Sequence, residues 1–291
     1  MARVLKKLAV HRRTFADIAR QKRCPMAISS VDAQTCYDRI THAIASLACQ
    51  RWGVPVSALQ SMLFTIQMMK FYLRTAFGDS DGFYGGGGTE TPFQGMCQGN
   101  GGGPAVWLGV SVLLVHMLHS LGHVSRLRSA FGATISTFIG LLYVDDTDLI
   151  LFANAEETAE EVAERMQAAV LAWEGGLRST GGALKPAKCS WTLVDFSFPN
   201  GQWTYRTVPD LPAILQASAP TGELVELKRY EPSSAVEVVG VWQAMDGSMT
   251  KQLDAMKSKV NYWVGCINDG YLPRRLAWNA MNANIWSSLK Y

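Results

Sequence analysis

The chain has 291 residues, 48% hydrophobic and 18% charged, a balance that excludes a mostly disordered protein and supplies core for one large domain or two smaller ones. Net charge is +3, but residues 1–30 hold eight Lys/Arg against Asp17 alone, a segment of +7 that leaves −4 for the remainder. Six cysteines without a CxxC pair or zinc-spaced His/Cys cluster exclude a disulfide scaffold and a zinc module, and point to a reduced, intracellular protein.

Residues 1–25 form a basic arm, read either as a holder of an anionic polymer beside an acidic body or as a solvated helix face. Arg and Lys recur throughout it, so it does not read as a secretory signal. MAISSVDAQTCYDRI, 26–40, begins as a strand and turns polar at Asp32. Helical spacing follows over 41–52, then over 57–77, where Leu59, Met62, Leu63, Ile66, Met69 and Leu73 recur at steps of three and four. The loop 84–104 holds nine of the 26 glycines. Its tetraglycine Gly85–Gly88 reads as a flexible linker, whereas QGNGGGP runs into an apolar helix at 104–121, where backbone N–H groups can meet an anion or a base. The glycine pattern matches neither the dinucleotide nor the Walker fingerprint. Ser111, His116 and His119 interrupt 104–121, leaving it short of the roughly 20 apolar residues of a membrane span; a buried helix is expected, with no membrane partner.

LLYVDDTDLILF, 141–152, sets Asp145 and Asp146 between two apolar runs that favour short strands. The pair belongs at a hairpin tip. Adjacent carboxylates partly out of water need a cation or donors, although an Asp-rich turn capping a hairpin accounts for the same residues. The glutamate-rich 155–173 predicts an amphipathic helix with Asn154 as N-cap and Val162, Met166, Ala169, Val170 and Trp173 inward. Pro199-Asn200-Gly201 marks a hairpin, 209–235 is unpatterned, 236–242 is strand-like, and helices are predicted from Lys251 and again over 274–289, with Pro273 between them.

DAQTCYD (32–38), QGNGGGPAVW (98–107) and YVDD (143–146) together resemble the palm of a reverse transcriptase, most closely that of LINE-type (non-LTR) retroelements. The resemblance implies an α+β fold: a polymerase palm with an antiparallel sheet and helices on one face, reduced fingers within 1–25, palm over 26–249 with a hairpin insertion at 191–208, and the start of a helical thumb over 250–291. It implies RNA-directed DNA synthesis by two-metal nucleotidyl transfer from a dNTP to a primer 3′-hydroxyl, on an RNA template with a DNA primer, with two Mg²⁺ or Mn²⁺ ions held by Asp32 and by Asp145, the stronger ligand of its pair, with Asp146 its neighbour. Ala33 would lend its carbonyl, and Tyr37 would lie under the incoming sugar and exclude a 2′-hydroxyl. Gln98 and Gly99 would approach the nucleotide, with Gln94-Gly95 as a competing register. Here Asn-Gly-Gly-Gly replaces the family's more usual Cys-Pro-Leu-Ser run.

GGALKPAKCSW (181–191) resembles the family's next block, making Lys188 the proton donor to the leaving pyrophosphate or, alternatively, a solvated turn lysine. Val239, Gly240 and Val241 would grip the primer end. Lys251, Lys257, Lys259, Arg274 and Arg275 would meet the duplex backbone, and Arg12, Arg13, Lys22 and Arg23 are substitutes for the fingers' cations. A fragment of a larger polyprotein is the expectation. The main alternative is a non-catalytic nucleic-acid-binding palm remnant. An RNA-dependent RNA polymerase is disfavoured by Tyr37, and a metal-stabilised protein with no polymer ligand by the three ordered blocks.

Overall fold

The computed structural model describes residues 2–286 other than 88, 89, 91, 92, 98, 130, 144, 145 and 239, with residues 2–7 described by backbone alone. Helix α1 (Ala2–Lys22) leads into β1 (Met26–Asp32), the short α2 (Cys36–Arg39), α3 (His42–Arg51) and α4 (Val56–Gln67). A hairpin follows, β2 (Lys70–Thr75) and β3 (Gly78–Gly85), then α5 (Gly103–Ser120), hairpin β4 (Ser125–Arg128) and β5 (Thr134–Phe138), strands β6 (Gly140–Tyr143) and β7 (Asp146–Phe152), and α6 (Ala159–Ser179). The remainder is strand-rich and ends in helices: β8 (Ser190–Val194), β9 (Phe196–Ser197), β10 (Thr204–Tyr205), β11 (Gln216–Ser218), β12 (Leu224–Glu226), β13 (Lys228–Tyr230), β14 (Val236–Val238), β15 (Val241–Gln243), α7 (Thr250–Asp269) and α8 (Arg274–Ala280).

One five-stranded sheet, ordered β13-β8-β1-β7-β6, organises the molecule. Strand β1 is central because it is apolar on both faces, with Met26, Ala27, Ile28 and Val31 all buried. The period-two alternation divides these residues between two cores. Ala27, Val31, Leu149, Leu151, Trp191 and Leu193 face α5 and α6, whose Val106, Val110, Leu114, Val162, Met166, Val170 and Trp173 complete the larger core. Met26, Ile28, Ile150, Phe152 and Val194 face Ala16 and Ala19 of α1. Each large aliphatic side chain so buried contributes roughly 1.5–3 kcal/mol.

The expectation of an antiparallel sheet with helices on one face is corrected twice. The sheet is mixed, because β13 runs parallel to β8, and helices cover both faces, because the basic arm is itself an amphipathic helix docked on the second core. Its Arg12 lies buried against Asp148, Nη1 to Oδ2 2.7 Å. Leaving one member of such a pair alone in the interior costs about 3–5 kcal/mol, so the contact fixes where α1 sits.

Other boundaries also move. The helix expected over 57–77 ends at Gln67, and its Met69–Leu73 periodicity is overridden by aromatic cross-strand pairing: Phe71 stacks on Tyr84 at 5.0 Å and Tyr72 meets Phe83 at 5.8 Å. The supposed insertion 191–208 shrinks to β9–β10, since Trp191–Val194 pairs with β1 in the main sheet. Helix α6 starts four residues later than Asn154 implies: Thr158 and Glu161 form a reciprocal capping box, while Asn154 donates to Glu157. The unpatterned 209–235 carries β11, β12 and the edge strand β13, too short to show alternation. The last helix ends by Ala280 and continues as a π-turn, Met281–Trp286.

Candidate active site

Two of the three blocks singled out in the sequence meet in the central sheet. Strands β1 and β7 are antiparallel, and their register makes Asp32 and Asp146 direct cross-strand partners. Asp146 also opposes Tyr143 across the β6–β7 hairpin; Asp145 lies outside the described residues. Two carboxylates opposite one another repel in a sheet, so the position requires compensating positive charge. Lys188 supplies some: its Nζ lies 3.5 Å from Asp32 Oδ2.

The segment carrying Lys188 is tied to β1 by backbone bonds. Lys185 N–H donates to the Asp32 carbonyl at 3.0 Å, Ala33 bridges Leu184, and a 3₁₀ turn over Pro186–Lys188 presents the lysine. The side chain of Lys188 is 59% exposed and that of Asp32 20%, so the contact is worth little in stability and is free to exchange for another cation or anion. Cys189 is buried directly beneath: it accepts the Asp32 N–H at 3.4 Å, and burial pushes its thiol up to about 11, leaving it neutral and unreactive.

Above the carboxylates opens a cleft of about 390 Å³, lined by Asp32, Asp146, Lys188, Lys228, Val236 and Trp242 among others. The β14–β15 hairpin forms one wall and turns at Gly240, whose φ of +81° is open to glycine. Of the three expected primer contacts, Gly240 and Val241 lie in this hairpin and Val239 lies outside the described residues. Leu8 of α1 also lines the cleft. Asp32 and Asp146 present hard oxygen donors, the chemistry that Mg²⁺ and Mn²⁺ prefer, so the residues present fit a divalent cation.

The competing Gln94-Gly95 register, just before the second block, docks on the first block. Met96 N–H donates to the Tyr37 carbonyl at 2.7 Å, and the Gly95 carbonyl accepts from His42 Nε2 at 2.9 Å. That contact assigns the His42 tautomer, because Nδ1 must then accept from Gln67 Nε2 at 2.8 Å. A Cβ on Gly95 would overlap the Asp38 carbonyl, so only glycine permits this approach. Gln94 donates Nε2 to the Arg39 carbonyl. Gln98 lies outside the described residues; Cys97 (φ 62°) and Gly99 (φ 91°) are left-handed. The Tyr37 ring packs on Gly103 at the start of α5, where an added Cβ would come to 3.3 Å.

The proposed fingers substitutes are engaged elsewhere, which corrects that assignment. Arg12 pairs with Asp148, Arg13 donates to the Gly247 carbonyl, Lys22 donates to the Arg128 carbonyl, and Arg23 lies over Phe196 and Trp203 at 5.3 and 5.4 Å. Lys257, Lys259, Arg274 and Arg275 are exposed on α7 and α8, and Lys251 lies over Trp242 at 5.2 Å. Compared with models of known protein families the chain matches none, and no curated protein matches it.

Sequence reading missed Ser30, Asp148 and Lys228. Ser30 and Asp148 were legible in principle: Ser-x-Asp at 30–32 and Asp-x-Asp at 146–148 both repeat polarity at period two within apolar strands, which places each polar pair on one face. Lys228 belongs to a three-residue edge strand with no pattern to read.

Proposed function

We propose that the chain is a nucleotidyltransferase of the reverse-transcriptase type, an RNA-directed DNA polymerase that joins a dNTP to a primer 3′-hydroxyl on an RNA template. On this reading the five-stranded sheet is a polymerase palm, α7 and α8 begin a thumb, and the β14–β15 hairpin lies against the primer end. The observation that carries it is the register pairing of Asp32 with Asp146 at the floor of an open cleft, with Lys188 beside them.

In this role Asp32 and Asp146, with the adjacent Asp145, would hold the cations, and bound divalent ions would supply activation of the attacking hydroxyl and charge to offset the phosphates. Lys188, exposed beside Asp32, would donate a proton to the departing pyrophosphate. Tyr37, braced against Gly103, would stand as the sugar gate. The exposed cations of α7 and α8 supply the salt-dependent hold on the duplex backbone.

A second reading is favoured by one contact. The Lys188–Asp32 pair partly neutralises the carboxylates from within the protein, as a non-catalytic remnant that binds nucleic acid would require. Primer extension on an RNA template with Mg²⁺ or Mn²⁺, dNTPs against NTPs, separates the two. Extension with dNTPs that is lost in Asp32→Asn and in Asp146→Asn supports the polymerase; tight, salt-sensitive RNA binding without extension supports the remnant.

A further inference from the structure

We propose that Arg12 is an internal counter-ion that withholds Asp148 from the cation site, so that the site is built without a third carboxylate from the same face. The inference rests on the reading of the cleft as a divalent-cation site.

Strand geometry poses the problem. Asp148 follows Asp146 by two residues and so lies on the same face, ~7 Å along β7. Its cross-strand partner is Ser30, just as Asp32 is the partner of Asp146. Ser30, Asp32, Asp146 and Asp148 all line the one cleft. An unneutralised Asp148 would add to Asp32 and Asp146 a further carboxylate on this face and draw a divalent ion toward an all-protein cage, whereas transfer chemistry requires coordination positions left for substrate phosphates.

Arg12 answers it from the far side of the molecule's topology. Its Nη1 lies 2.7 Å from Asp148 Oδ2 and donates to Ser30 Oγ at 3.0 Å, and Ser30 Oγ donates to Asp148 Oδ1 at 2.5 Å. The contact to Oδ2 is an ion pair by distance whose angle falls short of a hydrogen bond, so charge holds that oxygen while Ser30 holds the other. The paired side chains are 3% and 7% exposed. Arg does not deprotonate, and a buried guanidinium is held in place where the exposed Lys188 is free to exchange partners. Arg12 and Lys188 are thus cations of different kinds, one buried with its partner and one exposed.

The same helix also holds the cleft wall. Gln243 of β15 donates to the Ala9 carbonyl at 2.7 Å, and Arg13 and Arg20 donate to the Gly247 and Asp246 carbonyls. Arg12 is therefore a positioning residue, acting on the cation through Asp148, while its neighbours on α1 hold the hairpin.

The test measures Mn²⁺ binding to the full chain by electron paramagnetic resonance, alongside primer extension. Arg12→Gln keeps the stem and a donor without the charge, and Arg12→Lys keeps the charge. Arg12→Gln is expected to bind Mn²⁺ at least about tenfold more tightly while extension slows about 10–100-fold; Arg12→Lys stays within about threefold of wild type in Mn²⁺ affinity. A purely structural role would lower the melting temperature of both and move neither affinity. Folded Arg12→Gln with wild-type affinity overturns the inference. If Arg12→Gln does not fold, Arg12→Met is compared with Arg12→Met/Asp148→Leu, which replaces the pair with apolar volume; Mn²⁺ affinity raised in the first and returned to wild type in the second supports the inference, and equal affinity in the two overturns it. Mn²⁺ binding that tightens in Arg12→Gln, in a chain that extends no primer, keeps the inference and removes the polymerase reading. Mn²⁺ binding indifferent to Asp32→Asn removes the cation site and the inference together.

Discussion

Lys188 and Asp32 share a cleft wall with 3.5 Å between Nζ and Oδ2, and the lysine is three times as exposed as its partner, 59% against 20%. A pair of that kind is a resting contact. If Lys188 delivers a proton to the leaving group, Lys188→Met lowers the maximal rate of nucleotide addition by about 10²–10⁴-fold while leaving RNA affinity unchanged. Single-turnover extension with saturating dNTP checks this. A loss confined to the apparent affinity for dNTP would make the lysine a binding group instead.

Gly95 and Gly101 sit six residues apart in one loop and face opposite constraints. Gly95→Ala drives a methyl into the Asp38 carbonyl, whereas a Cβ at Gly101 meets nothing within 4 Å. Gly95→Ala is expected to destabilise by about 1–3 kcal/mol, and Gly101→Ala to stay within about 0.5 kcal/mol of wild type. Urea midpoints decide it.

Glu157 and Arg165 form a bidentate pair, both bonds 2.8 Å, between the end of β7 and α6. Burial would raise the Glu157 pKa, but the Arg165 and Asn154 contacts outweigh it and the net direction is down. A carboxyl whose folded pKa is depressed stabilises the fold above its unfolded pKa, and that contribution fades as pH falls through the folded value. Glu157→Gln should therefore cost about 1.5–3 kcal/mol at pH 7 and progressively less below the ordinary glutamate range of about 4.3. Thermal melts of both proteins between pH 7 and pH 3 give the difference.

The site was legible in sequence wherever the residues sit on strands with strong alternation. Asp32 at a strand end and Asp146 beside a hairpin turn follow from apolar runs that end on charge, and the register then makes them partners. Arg12 was illegible, because one guanidinium in a basic helix looks like its neighbours until its buried partner is known. Strand β2 was misread as helix because Met69 and Leu73 extend a three-four spacing by accident; Leu73 is 69% exposed, and the stabilising contacts are aromatic pairs with β3 that no local pattern reveals. Thr158 was overlooked as a cap although Glu161 follows it by three, the capping-box spacing.

The central place of β1 carries a consequence for how the chain reaches its native state. Met26–Asp32 needs β7 on one side and β8 on the other, and both are made long after it. At about 5–20 residues per second, the strand waits for several seconds with both edges unsatisfied, since its first partner begins at Asp146. An apolar strand in that condition is open to mispairing with other chains. Docking of α1 over Met26 and Ile28 shields one face in the interval, so the helix that braces the finished cleft also guards the nascent strand, and its removal should lower soluble yield more than it lowers the stability of molecules already folded.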